Sequence, residues 1–175
     1  MSFVDPQTIH NPSAGANSAP ATWFQAVVDD LQFLATGLCA RARRTTNFSH
    51  NASGTWMKIG LDAERFDTGA IHDNVTNNTR FTAPRAGIWM FASHLLYTDP
   101  NGGTVRKTGF AINGAASYHG VSAQQWTNTT GGRYIHSFAD LALAANDYVE
   151  LFFYQDTGAT VTVTNVEMWA LWVSL

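Results

Sequence analysis

Between positions 62 and 73 the chain gathers Asp62, Glu64, Asp67, His72 and Asp73, its richest set of titratable side chains. Two carboxylates flanking a sugar are the machinery of glycoside cleavage, one serving as acid and the other as base or nucleophile. A solvated, hairpin-rich loop shows the same spacing, and that is the reading preferred here. No GxSxG elbow, P-loop, HExxH, CxxC pair or dinucleotide glycine fingerprint accompanies them. The expectation is a protein that is not an enzyme and carries no cofactor.

Metal chemistry is equally sparse at this level. Six histidines, at 10, 50, 72, 94, 119 and 136, are not at metal-ligand spacings, and no EF-type loop is present for calcium. His94 and His136 fall in strand-like runs and read as hydrogen-bonded sheet residues, although in an oligomer a histidine near the symmetry axis would meet copies of itself and could hold an ion. Cys39 is the only cysteine, so it can form no disulfide within the chain, and it reads as a small apolar residue. For contact with a ligand the candidates are Tyr118, His119 and Trp126, in a polar, turn-rich region that includes SAQQWTNTTGG. A large ring in such a segment suits carbohydrate or protein recognition; folding back over the protein's own core is the plainer alternative.

The elements that must carry these residues follow from composition and period. The chain has 175 residues, 45% of them hydrophobic and only 13% charged, about half the usual charged share. A surface so poor in charge suits one that partner chains cover. The net charge of −3 excludes the concentrated basic surface that nucleic acid requires. No run approaches the length of a membrane span, and MSFVDPQTIHNPS lacks the basic-then-apolar order of a signal peptide, so a soluble protein made in the cytoplasm is expected.

Residues 1–20, with three prolines and small polar residues, read as an extended arm whose Phe3, Val4, Ile9 and His10 could dock on another surface, together with Trp23 and Phe24 just beyond it. Residues 21–43 read as an amphipathic helix and linker. There Phe24, Val27, Leu31, Leu34 and Leu38 follow alternating spacings of three and four, a short heptad seam suited to self-association or to lying on a sheet. From residue 44 to 175 the pattern is all β: about ten short apolar runs separated by turn signals such as Asn113-Gly114, Gly131-Gly132 and Thr157-Gly158. That density of strands suits a two-sheet sandwich.

Two runs, GIWMFASHLLY and VEMWALWVSL, are apolar on both faces. A strand with one wet face alternates apolar and polar residues, so both runs must be covered twice, by the facing sheet and by something else. Trp89, Phe91, Phe153, Trp169, Leu171, Trp172 and Val173 are the candidates for a subunit interface.

The order of elements resembles the C1q-like domain of the C1q and tumour-necrosis-factor superfamily. The residues that carry the resemblance are Phe81, Pro84, Gly87, Ile88, Trp89 and Phe91 around the APRAG corner, then the Asn113-Gly114 hairpin. Leu141, Leu143, Asp147, Val149, Leu151 and Phe153 follow, and then the apolar C-terminal strand. The resemblance covers residues 44–175 and implies an all-β, ten-stranded jelly roll that assembles as a homotrimer around an apolar axis. With no collagen-like repeat, and with PATWFQAVVDDLQFLATG ahead of the domain, the chain is similar to short C1q-like proteins of tailed bacteriophages. That likeness implies a structural virion protein, made in the host cytoplasm, whose N-terminal arm binds capsid, neck or tail proteins. The alternative it leaves open is a tail-borne protein contacting host surface glycans. Neither a nucleic-acid nor a membrane partner is expected.

Overall fold

The computed structural model describes residues 37–99, 102–125 and 131–174, together with Gln25, Val27 and Val28, which have helical backbone. Phe3, Val4, Ile9, His10, Trp23, Phe24, Leu31, Leu34 and Trp126 lie outside the described residues. The chain divides into two compact units, Met1–Gly37 and Leu38–Leu175.

Among the described residues, eleven strands build the second unit: β1 Cys39–Arg44, β2 Phe48–His50, β3 Thr55–Lys58, β4 Ala63–Asp67, β5 Arg80–Thr82, β6 Gly87–Asp99, β7 Val105–Ile112, β8 Tyr118–Gln125, β9 Gly131–Leu143, β10 Tyr148–Gln155 and β11 Val161–Ser174. One antiparallel sheet has the order β4-β1-β11-β6-β9, with β2 also on β11; the other has the order β3-β10-β7-β8, with β5 also on β10. The apolar side chains of the two inner faces fill the space between the sheets, which is how a sandwich buries a core.

Alternation decides which side chains go inside. On β6, Trp89, Phe91, Leu95 and Tyr97 are buried while Ile88, Met90 and their even-numbered neighbours face outward. On β11 a register shift between Val163 and Asn165 changes the phase, so Val161 and Val163 and then Val166, Met168, Ala170 and Trp172 all point into the core. Phe153, at 0% exposure, belongs to the same core through β10. Trp89, Phe91, Phe153 and Trp172 are therefore covered by their own chain and are not on a surface where a subunit could reach them. Trp169, Leu171 and Val173 are on the outer face.

The APRAG corner is built on indoles. Trp89 Nε1 donates to Arg85 O (3.2 Å), Trp172 Nε1 donates to Ala86 O (3.1 Å), and the Arg85 guanidinium lies 4.7 Å above the Trp172 ring. Gly87 has φ +141°, and a Cβ there would come within 2.3 Å of Ser174 O and 2.5 Å of Trp172 Nε1. Only glycine lets the corner pass this close to the end of β11.

Two expectations change. The helix and linker expected to run to residue 43 give way to strand at Cys39, because CARARR has period two: Ala40 and Ala42 are buried, while Arg41 and Arg43 point outward. Leu38, placed in the heptad seam, instead accepts a backbone hydrogen bond from Trp172 N (2.9 Å), so it belongs to the sheet. The strand count is eleven rather than ten: β1 is added, β4 comes out of the expected polar hairpin, and the two final apolar runs are one continuous strand.

Candidate functional site

Cross-strand register assembles the outer face of the six-stranded sheet row by row. Phe66, Arg41, Trp169, Ala92 and Phe138 form one row across five strands. Cys39, Leu171, Met90 and Asp140 form the next on one side, and Arg43, Glu167, His94 and His136 the next on the other. Phe138 is 69% exposed, Met90 47% and Leu171 45%, and Tyr134, Val173, Phe66 and Ile88 are also on the surface. Large apolar side chains lying edge to edge in this way make a patch rather than the scattered single residues that any surface carries.

One polar structure is set into this face. Glu167 is almost fully buried, and its carboxylate is gripped from two strands: Arg41 Nε donates to Oε2 (2.6 Å), with Arg41 Nη2 bonding the same oxygen, while Arg65 Nη2 (2.8 Å) and Nε (3.2 Å) donate to Oε1. Burial pushes the Glu167 pKa up, but the hydrogen bonds from Arg65 and Arg41 and their charges outweigh it, so the carboxyl stays below its ordinary value. The Arg41 guanidinium also covers the Trp169 ring at 4.7 Å. The Glu167 charge is thus compensated within the clamp while the apolar area stays open.

The carboxylate set at 62 to 73 is used up by local backbone. Asp62 accepts from Thr45 N (2.7 Å), Asp67 from Gly69 N (2.9 Å) and His72 N (2.8 Å), and Asp73 from Val75 N (2.8 Å) and Thr76 N (2.9 Å). His72 is buried, with Nδ1 3.2 Å from Glu64 Oε1 and Nε2 3.2 Å from Asn78 O. The backbone amides of Thr76 and Val75 hold the Asp73 carboxyl below its ordinary range, whereas a general acid at neutral pH needs a raised one. The cleft of about 500 Å³ that Glu64, His72, Asp73 and Arg80 help to line therefore offers no free acid and base pair.

The outer face of the second sheet carries an aromatic cluster. Trp56 stacks on Tyr118 with ring centroids 4.0 Å apart, Tyr118 meets Phe152 edge-on at 5.2 Å, and Lys107 lies 5.0 Å above Tyr154. Tyr118 and His119 are placed on opposite faces of β8, opposite Ala111 and Phe110 respectively, so they do not form one contact set. Neither the Glu167 clamp nor this cluster was found from sequence, since both join residues far apart in the chain.

No protein-family model matches the chain, and no curated protein matches it. Solved structures do. The globular domain of the zebrafish complement 1qA protein matches with 11% identity over 79% of this chain and 99% of that one, at a TM-score of 0.49. Murine APRIL matches with 8% identity over 77% of this chain and 98% of that one, at a TM-score of 0.57. At such identities the likeness is one of fold: the match to APRIL, together with the two antiparallel sheets, gives this chain a jelly roll of the kind seen in APRIL.

Proposed function

We propose that the chain is a non-enzymatic structural protein of a tailed-bacteriophage virion: a homotrimeric jelly-roll head held to the particle by its N-terminal segment. The observation that carries the reading is the open apolar face around Trp169, Leu171, Met90 and Phe138, which a second and third copy of the same face would cover. The virion setting rests on the likeness of the N-terminal sequence to short phage proteins. Three copies of a weak arm would hold the head more tightly than one, through effective concentration.

Light scattering on the purified chain is expected to give three times 19.1 kDa, and Leu171→Asp is expected to shift the mass to that of a single chain. A single-chain mass for the unaltered protein overturns the self-association, and a variant mass that does not change overturns this face as its interface. The arm is tested on particles. Without residues 1–20 the protein is expected to fold and stay trimeric but to be missing from virions; retained incorporation refutes the anchor.

The second reading, a tail-borne receptor-binding protein for host glycans, draws on the aromatic cluster around Trp56 and Tyr118, flanked by Lys58 and Lys107. Particles lacking the head separate the two readings: unimpaired adsorption to cells favours decoration, and lost adsorption favours receptor binding.

A further inference from the structure

His94 on β6 and His136 on β9 are directly opposed in the antiparallel register and share the outer face. Their ring centroids are 6.2 Å apart, with the planes at 63°. Among the described residues, neither imidazole hydrogen-bonds to a protein group. His94 is half-buried against Trp169, at 5.3 Å between ring centroids, and His136 is exposed beside Tyr134.

An ion bound to an imidazole nitrogen sits about 2.0–2.1 Å from it in the ring plane, which puts it about 3.2 Å from the ring centroid. Two rings sharing one ion then have centroids about 5.2 Å apart at a tetrahedral angle and about 6.4 Å apart at a linear one. The separation in this chain falls inside that window, near its linear end, so the spacing of the two rings is compatible with one shared ion. We propose that His94 and His136 are a cross-strand chelate for a divalent transition-metal ion of the zinc, nickel or copper class.

Imidazole donors select these ions over calcium and magnesium, which take oxygen. The nearest carboxylate in the same row, Glu167, is held by Arg41 and Arg65 and gives no third ligand. No group of three or more histidine, cysteine, aspartate or glutamate side chains among the described residues forms a rival centre. Water fills the remaining coordination positions. Because the strands fix the two backbones in register before the ion arrives, part of the ordering cost of binding is already met.

The test is calorimetric titration of the full chain with zinc chloride at pH 7.5, for the unaltered protein, His94→Gln and His136→Gln. Saturable binding is expected, weakened at least about tenfold by either substitution. Absence of saturable binding in the unaltered chain overturns the proposal, and so does a variant that binds zinc as tightly as the unaltered chain, which would place the ion elsewhere. Imidazole NMR resonances of the unaltered chain provide a readout that needs no variant. Zinc is expected to shift those of two histidines and leave the other four in place, and shifts confined to other residues refute the assignment.

Discussion

Glu167 keeps a charge in a nearly closed site because two guanidinium groups replace the water it gives up. Its folded-state pKa lies below the unfolded value of about 4.3, so the clamp contributes stability above that pH and loses it as pH falls through the lower folded value. Melting temperature is accordingly expected to fall as pH drops below about 4.3, and Glu167→Gln is expected to flatten part of that fall. At pH 7 the substitution should cost about 1–2 kcal/mol. It stays below the cost of breaking a fully buried pair because the Arg41 and Arg65 side chains are 33% and 46% exposed and can return to water. An unchanged melting profile across this range would show that the clamp carries no net stabilisation. At this scale the sequence is legible only where partners are close along the chain. Asp73 and its two backbone donors lie within three residues, so a loop reading sufficed, whereas Arg41 is 126 residues from Glu167. The His94–His136 pair is hidden for the same reason: ligand spacing is a local signal, and the register that joins them is not.

Among the elements, the strands with clear period two and firm turn signals were readable. The Asn113-Gly114 turn between β7 and β8 has φ of +52° and +71°, the pair of positive values a type I′ hairpin turn uses. Strand β1 was not readable, because alanine and arginine are both good helix formers and the preceding apolar spacing continues into it. Its state is settled by pairing with β4 and β11. Nor does a run apolar on both sides announce which side goes inside; the phase change on β11 decides that. A further close approach, with no sequence signal beyond the glycine itself, joins the two sheets at one side. Gly120 on β8 has φ +57°, and a Cβ there would lie 2.1 Å from Phe138 O on β9. Gly120→Ala combines backbone strain with a clash and is expected to cost about 2 kcal/mol or more in chemical denaturation. A loss within about 0.5 kcal/mol, as at an ordinary surface site, would mean that β8 and β9 are not in close apposition.

For the molecule as a whole, fold class and approximate order of elements came through from composition and turn spacing, and the apolar excess pointed to a covered outer face. Which half of that excess fills the sandwich required the register. The same register fixes where the chain enters and leaves the jelly roll. Leu38 O accepts from Trp172 N, and Cys39 pairs with Leu171, so the start of β1 and the end of β11 lie side by side at one pole. Val161, at the other end of β11, pairs with His50 near the opposite pole, where Ser53 Oγ accepts from Gly158 N. A cargo fused after β11 would therefore emerge at the pole where β1 begins. A peptide inserted at Gly158, whose Cβ position meets no atom within 4 Å, would instead be carried at the opposite pole of the sandwich.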